Sequence, residues 1–173
     1  MKKINIITLG CSKNTVDSEH LAAQLHEYGY KIVFDSDRTD ADVVVINTCG
    51  FIGDAKQESI DTILRAAELK TAGKIEELFV VGCLSQRYAD ELRPELPEVD
   101  DFFGVNDWAG IVERLGAKYC VENETKRELS TPSHYAYLKI SEGCNWMCGY
   151  CAIPLIRGRH KSVPMEALIA EAE

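Results

Sequence analysis

Three of the seven cysteines share one local setting. Cys11 follows the apolar run Ile4–Leu9 and Gly10, Cys49 follows Val43–Thr48, and Cys83 follows Leu78–Gly82. Short β-branched runs of this kind suit strands buried on both faces of a parallel sheet. Each cysteine then sits just past the carboxyl end of a strand, and in a parallel sheet those ends form one edge, where open α/β folds bind ligands. Residues 38 and 34 positions apart are thereby brought near one another. Three thiolates at that edge, beside helix N-termini whose dipoles favour negative charge, would hold three irons of a cubane iron–sulfur cluster and leave the fourth open. A single buried cysteine is more often a small hydrophobe. Recurrence at three equivalent strand ends favours ligands.

A second group is tighter. Cys144, Cys148 and Cys151 are spaced C-x3-C-x2-C, with Gly143 and Gly149 available for tight turns. One loop of this form wraps three thiolates around one face of a compact metal centre. Zinc is the rival occupant, but a structural zinc site wants four closed ligands, and His160 stands nine residues beyond Cys151. Three ligands and a vacancy suit an iron–sulfur cluster with one open iron better. Cys120 is the odd one, outside both groups, and reads as an ordinary thiol.

The elements that must position these thiols alternate along the chain. A first strand over Ile4–Leu9 precedes a helix over Asn14–Tyr28, with Gly29 where a left-handed C-terminal residue is wanted. Tyr30–Phe34 and Val43–Thr48 are strands, Asp54–Ala72 is a long amphipathic helix closed by Gly73, and Leu78–Gly82 is a fourth strand. A helix over Gln86–Leu92 is expected to stop before Pro94, followed by a strand near Phe102 and a helix over Trp108–Leu115. The expected fold is α/β, an open parallel sheet with helices on both faces joined by right-handed crossovers. Gly116–Ser133 turns polar and charged, as a linker does. A new strand over Tyr135–Gly143, the cysteine loop and a helix after Val163 with Pro164 at its start follow. Such a unit cannot bury both faces of its strand, so most of a second domain is expected to lie beyond Glu173.

Composition narrows the setting. An apolar fraction of 46% excludes a disordered tail, and no apolar run approaches the ~20 residues of a membrane span. The opening residues read as a strand and not a secretory signal, so the cysteines are expected in a reducing cytoplasm and not in disulfides. Acidic residues outnumber basic ones 28 to 19, and since residues 131–173 hold four of each, the whole net charge of −9 lies before them. That surface favours a basic protein partner over nucleic-acid phosphate.

The loop Cys144–Cys151, with Tyr150 before its last cysteine, resembles the radical S-adenosylmethionine (SAM) signature. The stretch Glu142–Gly158, EGCNWMCGYCAIPLIRG, together with Cys11, Cys49 and Cys83, is similar to the radical SAM methylthiotransferase family over essentially the whole chain. The resemblance implies an N-terminal methylthiotransferase α/β domain over residues 1–118, a linker over 119–134, and the first strand, loop and helix of a radical SAM partial TIM barrel over 135–173. It implies two 4Fe-4S clusters as cofactors, one on Cys11, Cys49 and Cys83 and one on Cys144, Cys148 and Cys151, with SAM as the second cofactor. The latter three cysteines would be catalytic, since SAM binds and is split at their cluster by one electron from a donor such as flavodoxin. Tyr150 would lie near the adenine, and Arg157 would steer the SAM carboxylate or the substrate.

The segment Thr8–Glu19, TLGCSKNTVDSE, resembles the branch of that family that modifies the β-carbon of an aspartate in a small-subunit ribosomal protein. Methylthiolation of a tRNA adenosine is the alternative within the family, and a non-catalytic metal-binding module the alternative outside it. Residues 1–173 alone are expected to be inactive.

Several other positions carry weaker expectations. Arg159, His160 and Lys161 extend the basic tract begun by Arg157, and such tracts are usually solvated. Asn14 and Asp17 are read as caps of the first helix in preference to groups near the first cluster. The acidic run Glu91–Asp101 is read as a solvated face, and Trp146 and Met147 as either a cover for the second cluster or packing residues. Replacing any one of the six triad cysteines should lower iron and acid-labile sulfide after anaerobic reconstitution, whereas Cys120→Ala should leave both unchanged.

Overall fold

A computed structural model describes residues 2–173. Its main body is a five-stranded sheet in which every neighbouring pair is parallel: β1 (Lys3–Thr8), β2 (Lys31–Phe34), β3 (Val43–Thr48), β4 (Glu77–Gly82) and β5 (Asp101–Phe102), in the spatial order β2-β1-β3-β4-β5. Four helices connect and cover them: α1 (Ser12–His26), α2 (Gly53–Thr71), α3 (Cys83–Glu95) and α4 (Trp108–Arg114).

The two-residue period of a strand sends alternate side chains to opposite faces. Ile4, Ile6, Val43, Val45, Phe79 and Val81 face one way and pack with Leu21, Ala22 and Leu25 of α1 and Ile111 and Val112 of α4. Val44, Ile46, Leu78 and Val80 face the other way against Ile63, Ala66 and Ala67 of α2 and Leu84 of α3. All six residues of β3 are therefore buried, apolar from Val43 to Ile46, with Asn47 and Thr48 hydrogen-bonded at its end. Gly29 and Gly73 follow α1 and α2 with φ of +81° and +68°, the left-handed geometry expected of them.

Two boundaries differ from the sequence expectation. α3 begins at Cys83 itself and continues through Pro94, which gives up one N–H bond while the Leu96 N–H on the Leu92 carbonyl still closes the helix beyond it. The strand expected over Tyr135–Gly143 is confined to β6 (Ser141–Glu142), paired antiparallel with β7 (Lys161–Ser162). Residues 135–138 and Ile140 are exposed and have no ladder partner among the described residues, so the backbone there is extended without being a strand. Between these strands lies a short helix, α5 (Ile153–Arg157), that the sequence did not announce. α6 (Met165–Ala172) follows Pro164 as expected. No helix among the described residues is long and apolar enough to cross a membrane.

The polar segment after α4 is not a free linker. Glu19 of α1 is fully buried and accepts from Arg127 Nη2 at 2.6 Å and from the Ser130 backbone N–H at 2.8 Å. Arg127 Nη1 also donates to Glu171 of α6 at 2.6 Å. Removing one partner of a buried pair leaves an uncompensated charge, so Arg127→Ala should destabilise the protein by about 3–5 kcal/mol, with Glu19→Gln/Arg127→Met recovering much of the loss. Lys2→Ala, which removes surface pairs with Glu76 and Glu77, should barely move the urea midpoint in the same titration.

Candidate functional site

The three strand-end cysteines line one cavity of about 840 Å³. Cys11 is the N-cap of α1, Cys49 directly follows β3, and Cys83 opens α3. The cavity lies where β1 and β3 point their carboxyl ends. There the chain leaves in opposite directions across the sheet, the switch point at which doubly wound sheets of order 2-1-3-4-5 bind their ligands.

Glycine beside each cysteine makes the approach possible. A Cβ on Gly10, whose φ is +95°, would stand 2.6 Å from Cys49 Cβ and 2.9 Å from its Sγ. One on Gly50 would stand 2.7 Å from the backbone of Leu84, the residue after Cys83. The three loops touch through positions that admit no side chain. Polar side chains fix them further. Asn14 Nδ2 donates to the carbonyls of Leu9 (2.7 Å) and Thr48 (3.1 Å), tying the end of β1 to the end of β3. Ser59 of α2 accepts from the Cys49 N–H at 3.1 Å and donates to the Cys49 carbonyl at 3.0 Å.

Electrostatics at this edge suit an anionic guest. α1, α2 and α3 all start here, and none has a side-chain cap, so their first N–H groups keep their positive ends open to the cavity side. Burial pushes the Cys83 thiol up from its ordinary value, opposed by the Arg157 guanidinium and reinforced by Cys49 and Cys11. Among the described residues no three Cys, His, Asp or Glu side chains converge closely enough to chelate a single ion. Three free thiols spread around a cavity of this size fit instead a cluster, which takes one thiolate at each of several corners. Phe51, Ile52, Ile153 and Ile156 give the same cavity apolar walls, and Asp54, Glu58 and Lys13 line it as well.

Asn14 and Asp17 are not caps, contrary to the sequence expectation. Both lie inside α1 and are buried, and they face the second unit. Asn14 Oδ1 accepts from Arg157 Nη2 at 2.6 Å, and Asp17 accepts from Arg157 Nη1 at 3.1 Å and from Lys139. A helix that starts at the N-cap backbone of Cys11 has no need of them there. Arg157 likewise departs from the solvated tract in which it was read: it is 4% exposed and lines the triad cavity, whereas Arg159, His160 and Lys161 are exposed. Glu142 and Lys139 were not singled out in the sequence, and Lys13 only as part of the segment Thr8–Glu19. Lys13 donates to the Ser141 carbonyl at 2.5 Å, and Glu142, whose carboxyl is lowered by Arg157 and Lys139 despite its burial, stands two residues before Cys144.

Cys144, Cys148 and Cys151 occupy a surface loop whose two ends, Gly143 and Ile153, border the cavity of the first triad. The Cys144 N–H donates to the Gly158 carbonyl at 3.0 Å, closing the loop's base, while Cys148 is exposed and Tyr150 is 92% exposed. Trp146 and Met147 are also exposed, so they neither pack nor cover anything among the described residues. Cys120 lies away from both triads, its backbone N–H and carbonyl both held by the Gln24 side chain.

The fold is thus a doubly wound α/β domain with cysteines at three adjoining strand ends. The chain belongs to the family described as uncharacterized protein family UPF0004, whose model matches residues 3–104, a span that takes in Cys11, Cys49 and Cys83. It is 56% identical over 170 residues to the ribosomal protein uS12 methylthiotransferase RimO of Bacteroides fragilis. It is 53% identical over 169 residues to the protein so named from Porphyromonas gingivalis, and 54% over 171 to that from Cytophaga hutchinsonii. These matches cover 98–99% of the chain and 39% of each relative, so the chain spans about two fifths of their length.

Gly10→Ala should displace Cys49 and cut iron uptake by the first triad severalfold. Gly29→Ala, at φ +81° with open space where its Cβ would go, should lower stability by about 1–2 kcal/mol and leave iron uptake intact.

Proposed function

We propose that the chain is the cluster-bearing part of a radical SAM methylthiotransferase that places a methylthio group on the β-carbon of an aspartate in a small-subunit ribosomal protein. The observation that carries this is that Cys11, Cys49 and Cys83 line one cavity whose rim is also the base of the Cys144–Cys151 loop. When bound, the two 4Fe-4S clusters and SAM supply the radical that removes a hydrogen from carbon and the methylated sulfur that replaces it. Cys11, Cys49 and Cys83 hold the first cluster, and Cys144, Cys148 and Cys151 hold the second.

The chain's own residues do the positioning. Lys13 and Arg157 fasten the base of the second loop beside the first triad, so both centres address one substrate carbon, and proximity of this kind is worth much of a barrier. Phe51, Ile52, Ile153 and Ile156 give the space between an apolar lining. Tyr150, exposed next to Cys151, is free to stack on an adenine. A net charge of −9 draws a basic protein and repels nucleic acid at long range, in keeping with the uS12 substrate in the relatives' names. Free thiols at all seven cysteines suit a reducing cytoplasm and an electron donor such as flavodoxin.

The full-length polypeptide carrying residues 1–173 should hold about eight irons when reconstituted without oxygen. Incubated with SAM and a reductant, it should raise the mass of ribosomal protein uS12 by one methylthio group in place of hydrogen. Gain on tRNA alone would transfer the chemistry to an adenosine, and zinc without acid-labile sulfide would leave a non-catalytic module.

A further inference from the structure

The group that joins the two cysteine triads is a buried arginine. Arg157, the last residue of α5, is held by three hydrogen bonds: Nη1 donates to Glu142 Oε2 at 2.6 Å and Asp17 Oδ2 at 3.1 Å, and Nη2 donates to Asn14 Oδ1 at 2.6 Å. Two of these partners lie in the first turns of α1, three and six residues beyond Cys11, and the third lies two residues before Cys144. Arg157 also lines the cavity with Cys11, Cys49 and Cys83, and Ile156 beside it packs in one buried cluster with Cys83.

Buried charges balance around it, with Arg157 and Lys139 facing Asp17 and Glu142, while Lys13, Asp54 and Glu58 are partly or fully exposed. The guanidinium is nonetheless part of the wall of the cavity that the three cysteines line. Thiolate-ligated clusters are anionic, and hydrogen bonds and charges next to their sulfurs set both affinity and potential.

We propose that Arg157 is a positioning residue of the first triad: through Asn14, whose amide ties the ends of β1 and β3, it fixes the strand ends that carry Cys11 and Cys49, and it raises that cluster's reduction potential by presenting its charge to the cavity. This rests on the reading that Cys11, Cys49 and Cys83 hold a cluster. Through Glu142 the same guanidinium also makes the base of the Cys144–Cys151 loop part of the first triad's wall. The role differs from contact with the SAM carboxylate, because the fork is already engaged at the other triad.

The test uses a parent chain in which Cys144, Cys148 and Cys151 are all replaced by Ala, so that iron binds only at the first triad. Iron and sulfide per chain and the midpoint potential are measured after anaerobic reconstitution for the parent, Arg157→Lys, Arg157→Met and the triple variant Asp17→Asn/Glu142→Gln/Arg157→Met. Arg157→Met strands two carboxylates and can unfold on that account. The triple variant removes those charges too and keeps the comparison open.

The triple variant should fold, lose iron severalfold on desalting and show a more negative potential, with Arg157→Lys returning the potential towards the parent. A folded triple variant with the parent's iron retention and potential would make Arg157 a structural strut only and overturn the inference. A parent chain that takes up no iron would overturn the cluster assignment of the first triad, and this inference with it.

Discussion

Parallel strands deliver their carboxyl ends to one edge, and everything chemical in this chain depends on how closely three of those ends can approach. Backbone sterics decide it. Gly10 lies against Cys49 and Gly50 against the start of α3, each at a distance that forbids a Cβ, so the three loops close on one another only because a glycine adjoins each cysteine. The same edge gathers the uncapped starts of three helices, whose N–H groups face outward with nothing from their own side chains to satisfy them. The fold thus builds a place for negative charge before any ligand arrives.

α1 is the element that connects this place to the rest of the molecule. Its apolar residues Leu21, Ala22 and Leu25 face the sheet, while Asn14, Asp17, Glu19 and Gln24 are buried on its other sides. A helix at the surface of an isolated α/β domain would show those four to water. Here Arg157, Lys139 and Arg127 pair with the first three, and the Cys120 backbone with Gln24, so the helix is sandwiched. Buried ion pairs of this kind add little net stability against an apolar alternative, but they are intolerant of misregister. They fix which turn of α1 faces which part of the second unit, and that register sets the first triad against the second loop.

The sheet was legible in the sequence because hydrophobic pattern largely determines it: β3 matches the expected strand Val43–Thr48 residue for residue, and Gly29 and Gly73 mark helix ends as their conformational freedom dictates. The first triad was legible for the same reason, since strand ends follow from strands. The roles of Asn14, Asp17 and Arg157 were not. A polar residue in the first turns of a helix reads as a cap, and an arginine among basic neighbours reads as solvated, until a partner more than a hundred residues away is known. Lys13 and Asn14 illustrate the gap best. Their identities helped place the chain within its family, yet what they do physically, holding Ser141 and Arg157, is a long-range fact that no local pattern encodes.

The two triads differ in how much of their geometry the protein supplies. The first is held by sheet, glycines and buried hydrogen bonds, and its cysteines grade from exposed Cys11 to buried Cys83. The second is held at its base alone, by the Cys144 N–H to the Gly158 carbonyl and by Glu142 on Arg157, while Trp146, Met147 and Tyr150 stand in solvent. A loop with few buried contacts has low local stability and pays its ordering entropy when something binds. A rigid triad and a pliant one are thus anchored to the same arginine, the first fixed by the sheet and the second fixed at its base alone.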